Sequence, residues 1–201
     1  AASDVYKRQG LNIKYFVYSG LLLLVSLPFA ISILKPYQKS RILTFFNPDR
    51  DPLGAGYQII QSKIAIGSGG FFGKGYLKGT QSYLEFLPEK HTDFIFTLFS
   101  EEFGFLGSII LLFLYILLIY RIINVGLLSR SFFAKLYCFG FATAIFLYVF
   151  VNIAMVLGML PIVGAPLPIM SYGGSSLLSI MLGLSIVMSC KIYNQEQISV
   201  Y

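Results

Sequence analysis

The sequence predicts an all-α polytopic membrane protein, on composition and on where the charges are missing. Of 201 residues, 56% are hydrophobic and 12% are charged, about half the charge of a typical soluble domain. No Asp, Glu, Lys or Arg occurs in 15–34, 103–120 or 136–190. A bilayer-crossing helix takes roughly 20 apolar residues, so the first two runs allow one crossing each and the third allows two.

These runs give four spans, at 13–34, 98–121, 135–157 and 172–191. The long third run is divided at 158–168, where Gly158, Pro161, Gly164, Pro166 and Pro168 rule out one continuous helix. Residues 1–9 differ in character from the rest of the chain and read as a non-native leader. Residues 10–34 form a cytoplasmic flank and the first span, 35–93 a large extracytoplasmic loop, 94–195 the remaining spans, and 196–201 a cytoplasmic tail. The chain has no initiator Met and reads as the C-terminal part of a longer protein, a part expected to be inactive alone.

Orientation comes from the short flanks. Lys7, Arg8 and Lys14 precede the first span, and Arg121, Arg130 and Lys135 lie between the second and third. The positive-inside rule makes both flanks cytoplasmic. The 35–93 loop holds eight Lys/Arg, but it is near the length at which the rule stops applying. The net charge of +6 favours an anionic partner: a membrane surface in general, a phosphate-bearing lipid in particular, and not nucleic acid. Cys138 and Cys190, at predicted cytoplasmic ends of different spans, read as packing residues.

The external loop has two recognisable parts. Residues 55–66 interleave Tyr57, Ile59, Ile60, Ile64 and Ile66 with Gln58, Gln61, Ser62 and Lys63, the pattern of an amphipathic helix lying in the interface. Six glycines come next, at 67, 69, 70, 73, 75 and 79, which lets backbone approach a ligand or a neighbouring helix closely. It is not a P-loop, since Ser68 and Gly75 stand where Gly and Ser/Thr are needed. If the segment borders a substrate groove, Val at Gly70 or Gly73 should harm activity more than expression.

The chemistry concentrates at the outer mouth of the second span. Glu85, Glu89, His91, Asp93, Glu101 and Glu102 crowd the start of an uncharged segment, and ionisable groups so close to hydrocarbon tend to be functional. Asp93 serves equally well as a helix N-cap or as a general base. Lys63, Lys74 and Lys78 flank the glycines as point charges for a phosphate or for lipid headgroups. Ser171 opens the small-residue stretch 171–176, which suits close helix packing or an anion at a helix N-terminus. Glu101 and Glu102 serve as well for anchoring against other spans as for binding.

Several ordered motifs carry a family resemblance. Asp51-Pro-Leu-Gly-Ala-Gly-Tyr-Gln-Ile-Ile-Gln-Ser-Lys-Ile-Ala-Ile-Gly-Ser-Gly-Gly, Gly73-Lys-Gly, Gly79-Thr-Gln-Ser, Leu87-Pro-Glu-Lys-His-Thr-Asp-Phe-Ile-Phe, Glu101-Glu-Phe-Gly and Pro166-Leu-Pro-Ile-Met-Ser-Tyr-Gly-Gly-Ser-Ser resemble the SEDS membrane proteins (shape, elongation, division and sporulation), the elongation type more than the division type. The match runs from about residue 10 to residue 195. The resemblance implies a ten-span fold of which this chain holds the last four, in a bacterial cytoplasmic (inner) membrane. It implies a peptidoglycan glycosyltransferase that polymerises lipid II, with a class B penicillin-binding transpeptidase and elongation-complex membrane proteins as partners. It places the family's essential Asp at Asp93. Lys63, Lys74, Lys78, Gln81, Ser82, Glu85, Glu89, His91 and Ser171 are the expected substrate-binding set, and a divalent cation, Mg or Mn, is expected with the lipid pyrophosphate. A lipid II flippase, a division-type member and a non-catalytic scaffold are the alternatives.

The topology is testable by cysteine-accessibility labelling. Positions 74 and 165 are expected to label from outside and position 126 only from the cytoplasm. The reverse pattern at 74 and 126 overturns the orientation.

Overall fold

In the computed structural model the described residues are Tyr18, Leu21, 35–47, 54–79 and 92–193. The predicted span at 13–34 lies outside them apart from Tyr18 and Leu21. The chain divides into two compact units, Ala1–Leu43 and Thr44–Tyr201. Helix α1, Pro36–Phe46, begins in the first. It opens with Pro at its first position, where the missing N–H costs nothing, and the Lys35 N–H donates to Gln38 Oε1 (3.0 Å).

The second unit holds α2 (Ala55–Gly69), α3 (Ile95–Leu128), α4 (Phe132–Val156) and α5 (Gly174–Ile192). All secondary structure among the described residues is helical. The last three helices are long and apolar enough to cross a membrane, and they overlie the predicted spans at 98–121, 135–157 and 172–191. The protein is a multi-pass membrane protein. The predicted 122–134 loop is shorter than expected, because α3 stays helical past Arg121 to Leu128. Ser129 ends it by donating its side-chain and main-chain groups to the Val125 carbonyl (2.7 and 3.1 Å). α4 stops at Val156, and Gly158 turns with φ 68°, where the glycine and proline pattern predicts a break.

Packing between the spans uses small residues, as expected where lipid is as apolar as the side chains. A Cβ on Gly126 would lie 2.9 Å from Cys138 Cβ, so α3 and α4 approach closely near the end of α3 and the start of α4. Cys138 is fully buried there, a free thiol like Cys190. Gly183 of α5 leaves room for the Phe141 ring, which a Cβ would overlap at 2.2 Å. The Tyr137 hydroxyl donates to the Gly183 carbonyl alongside (3.3 Å).

Helix α2 forms where the alternating pattern predicts it, but it turns a different face inward. Gly56, Ile59, Ser62, Ala65 and Gly69 are buried, at three- and four-residue spacing, whereas Ile60 and Ile64 are exposed. The buried stripe packs on α3 and α4. Ser62 Oγ donates to the Val156 carbonyl at the end of α4 (2.8 Å). The narrow side chains are selected by close approach: a Cβ on Gly69 would sit 2.3 Å from the Ser100 carbonyl oxygen.

The glycine segment after α2 enters a break in α3. Gly104 has φ 66° and ψ −163°, a backbone region essentially restricted to glycine. In a continuous helix, the Phe105 and Leu106 N–H groups would donate to the Glu101 and Glu102 carbonyls. Here Phe105 and Leu106 donate instead to the carbonyls of Gly70 (2.9 Å) and Phe71 (3.1 Å). The vacated carbonyls of Glu101 and Glu102 accept from Lys74 (3.1 Å) and Gly75 (3.0 Å). Four bonds between the two segments thus replace two helical ones, and all of these main-chain groups keep a partner. Contact is main chain to main chain: a Cβ on Gly73 would lie 2.1 Å from the Glu102 carbonyl oxygen, and one on Gly104 would lie 2.3 Å from Gly73 N.

The expectation for these glycines therefore changes. Gly73 (φ 82°) is held by packing on α3, so substitution there acts on folding first. Gly73→Ala and Gly104→Ala should each cost about 1–3 kcal/mol from overpacking, with positive-φ strain in addition. Gly67, in α2 with nothing within 4 Å of an added Cβ, should tolerate Ala, with a gain of up to about 1 kcal/mol. Thermal unfolding followed by size exclusion in detergent reads all three. Wild-type melting of Gly73→Ala would refute the close packing.

Candidate functional site at the outer end of the helices

Two segments meet at one end of α3, α4 and α5, the turn 92–94 and the loop 157–173, while the segment 70–78 packs on α3 at residues 101–106. α3 begins at Ile95, so Asp93 sits in the turn before it. The helix N-cap is Phe94, with no side-chain cap hydrogen bond. The third and fourth helical N–H groups, those of Thr97 and Leu98, turn back to the Phe94 carbonyl (3.0 and 3.4 Å). Asp93 is half-buried, and its carboxylate faces Gly164, where an added Cβ would come within 3.2 Å of Oδ2. Gly164 also has φ 78°, so both its conformation and its lack of a side chain admit the carboxylate.

Two polar side chains join the 92–94 turn to the 157–173 loop. Asn152, fully buried near the outer end of α4, donates from Nδ2 to the carbonyls of Asp93 (2.8 Å) and Ala165 (2.6 Å). Ser171 Oγ donates to the Thr92 carbonyl (2.7 Å) and accepts from the Leu167 N–H (2.6 Å). The Tyr115 hydroxyl of α3 donates to the Pro168 carbonyl and ties the same loop to the bundle. Beside this frame an open cavity of about 500 Å³ is lined by Ile95, Met170, Ser171, Tyr172, Gly173, Gly174 and Leu177. α5 starts on its wall without a side-chain cap, which leaves first-turn N–H groups directed outward.

The two neighbouring glutamates serve the spliced segment. Glu101 is fully buried, and its Oε1 lies 2.8 Å from Lys74 Nζ. Glu102 Oε1 accepts from the Leu77 N–H (3.2 Å). A straight helix would turn Glu102 to the opposite side from Asp93. Because Asp93 precedes the helix and Gly104 breaks it, that offset does not govern the site.

The expected binding residues separate accordingly. Asp93 and Ser171 share one frame. Lys63 is exposed on α2, yet its Nζ lies 2.7 Å from the Cβ position of Gly158, so its stem covers the start of the same loop. Lys74 is engaged with Glu101, a partner the sequence did not indicate, and Lys78 is exposed. Gln81, Ser82, Glu85, Glu89 and His91 lie outside the described residues. No group of three or more His, Cys, Asp or Glu that could hold a metal occurs among the described residues, so these residues do not by themselves form a metal cage. Sequence reasoning passed over Asn152 as a ligand of the site; the available signal is that it is the sole amide or charged side chain in 136–190.

Comparison with known proteins agrees with this architecture. The sequence profile of the FtsW/RodA/SpoVE family, described as "Cell cycle protein", matches residues 6–196, and the chain belongs to that family of integral membrane proteins. It is 56% identical over 157 residues to the peptidoglycan glycosyltransferase MrdB of Escherichia coli K12, which covers 78% of this chain and 42% of that protein. It is 46% identical over 159 residues to the peptidoglycan glycosyltransferase RodA of Treponema pallidum, covering 79% and 37%. The chain thus spans less than half the length of these relatives. A solved chain described as "Structural coordination of polymerization and crosslinking by a peptidoglycan synthase complex" superimposes with a TM-score of 0.70 at 38% identity, over 91% of this chain and 50% of that one. An aspartate-to-alanine mutant of the Thermus thermophilus rod shape determining protein RodA gives a TM-score of 0.53 at 35% identity, over 62% and 39%.

The Lys74–Glu101 pair separates a structural from a binding role. Lys74→Met leaves a fully buried carboxylate without its counter-charge and should cost about 3–5 kcal/mol. Adding Glu101→Gln should recover much of that loss. If Lys74→Met instead melts like wild type and only weakens substrate binding, the lysine belongs to the substrate site.

Proposed function

We propose that this chain is the C-terminal part of a peptidoglycan glycosyltransferase that polymerises lipid II into glycan strands at the outer face of a bacterial cytoplasmic membrane. The observation that carries the reading is the placement of Asp93. It is an acid in the turn before a membrane-length helix, with its carboxylate toward the loop glycine Gly164, and its turn is tied to Ser171, which lines an open cavity. Identities of 56% and 46% to proteins named as such transferases support the class.

The chemistry needs one base. Asp93 takes the proton of the acceptor sugar hydroxyl as that oxygen attacks the anomeric carbon of the lipid-linked donor. The bond from that carbon to the lipid pyrophosphate breaks, and the pyrophosphate leaves with the electron pair, inverting the anomeric centre. A positioned base contributes typically ~10²–10⁴-fold. A pyrophosphate leaves as an anion and needs positive charge instead of the second carboxyl used by glycosidases. Lys63 over the loop, Lys78, and the uncapped N–H groups of α5 supply it in this proposal. A divalent cation, Mg or Mn, is proposed to arrive on the pyrophosphate oxygens, since the described residues present no cage for it. Gln81, Ser82, Glu85, Glu89 and His91 complete the proposed substrate set.

A class B penicillin-binding transpeptidase is the proposed partner, with other membrane proteins of the elongation complex. The solved peptidoglycan synthase complex supports such pairing. Elongation is favoured over division because relatives named MrdB and RodA reach 56% and 46% identity, against 43% over 162 residues for an FtsW of Wigglesworthia glossinidia brevipalpis. A flippase would carry ionisable groups at mid-membrane depth. Here the acids of the described residues, Asp93, Glu101 and Glu102, gather before and within the first turns of α3.

The test is polymerisation by the full-length protein with its transpeptidase, wild type against Asp93→Asn. The amide has the same size but takes no proton at neutral pH. Turnover should fall by ~10²–10⁴-fold, while membrane insertion, partner binding and lipid II binding stay near normal. Asp93→Glu should keep a trace of activity. Polymerisation by Asp93→Asn at the wild-type rate overturns the assignment of the base.

A further inference from the structure

We infer that Asn152 is a positioning residue for the proposed transfer reaction, setting the direction of the Asp93 carboxylate from the far side of the peptide; the inference rests on Asp93 being the base. A side-chain amide in a transmembrane helix is costly and is retained for a reason. Asn152 is fully buried, and both of its described contacts leave the helix that carries it. One Nδ2 donates to two main-chain carbonyls, from segments 59 and 13 residues away in sequence. The orientation of the amide follows from its partners: two carbonyl oxygens accept only from the NH₂ end.

The consequence for Asp93 is geometric. Its carbonyl is pinned to α4, and the Ala165 carbonyl, one residue beyond Gly164, is pinned to the same nitrogen. The carboxylate and the glycine it faces are thereby referenced to one atom. Both hydrogen bonds go to main-chain carbonyls, so they fix the peptide that carries the carboxylate and not the carboxylate itself. Ser171 repeats the arrangement one residue earlier, through the Thr92 carbonyl, and keeps the turn attached when Asn152 is changed. Asn152 Oδ1 is buried and has no partner among the described residues, so the hydrogen bonding of this amide rests on Nδ2.

Positioning and packing predict different outcomes for Asn152→Leu, which keeps the size and shape of the side chain and removes both donors. The measurement is made on the full-length protein with its transpeptidase, with activity counted per folded molecule after size exclusion. Turnover at saturating lipid II should fall about 10- to 100-fold, with KM and lipid II binding within about twofold of wild type. Asn152→Asp, which keeps the shape and loses at least one donor, should fall in the same direction. Hydrogen–deuterium exchange provides a reading independent of activity: peptides covering 92–98 and 162–168 should lose protection together in Asn152→Leu. Near-wild-type turnover per folded molecule, or unchanged exchange in both peptides, overturns the inference. Joint loosening of both segments while Asp93→Asn polymerises normally overturns the base assignment and the catalytic part of this inference with it.

Discussion

The hydrogen bonding of α3 around Gly104 fixes the segment that follows α2. A helix that crosses a membrane has to satisfy each N–H and C=O within itself or against protein. At Gly104 the helix gives up two of its own bonds, and the segment 70–75 supplies four in return. That exchange needs backbones in direct contact, which is why glycine stands on both sides, at 73 and at 104. The Lys74–Glu101 pair and the Glu102–Leu77 bond then close over the joint. The external loop is therefore part of the transmembrane helix in hydrogen-bonding terms. Its position is inherited by α2, whose small-residue stripe runs directly into the joint.

The second set of constraints acts on the loop between α4 and α5. It is a chain of turns with positive φ at Gly158, Gly164 and Ile169, and it has no regular structure to hold it. Asn152, Ser171 and Tyr115 hold it through its own main chain and that of residues 92 and 93. Four of these bonds run from a side chain to a carbonyl, and in the fifth the Leu167 N–H donates to Ser171 Oγ. An acid proposed to accept a proton has to stay accessible while its backbone does not move. The bonds to the carbonyls of residues 92 and 93 meet the second condition.

The glutamates at 101 and 102 illustrate how an acid near hydrocarbon can be structural. Burying a carboxylate is costly unless it is paired and hydrogen-bonded, and both acids are committed to the spliced segment. Asp93 carries the same functional group a short way upstream, and its carboxylate faces Gly164 in the loop between α4 and α5.

Much was legible from the sequence alone. Charge-free runs located the spans at 98–121, 135–157 and 172–191, because burying a charge in lipid is costly enough to be excluded residue by residue. The glycine and proline cluster at 158–168 located the break between the last two, since it acts on the local backbone. The motifs around residues 51–70, 87–94 and 166–176 identified the family. The tertiary structure alone decided which face of α2 is buried, that the glycines at 73 and 104 meet, that Lys74 belongs to Glu101, and that Asn152 holds Asp93. Each of these is a contact between residues far apart in the chain. Hydrophobic period and local propensity report a residue's own surroundings along the backbone, and they carry no information about which distant carbonyl an amide will reach.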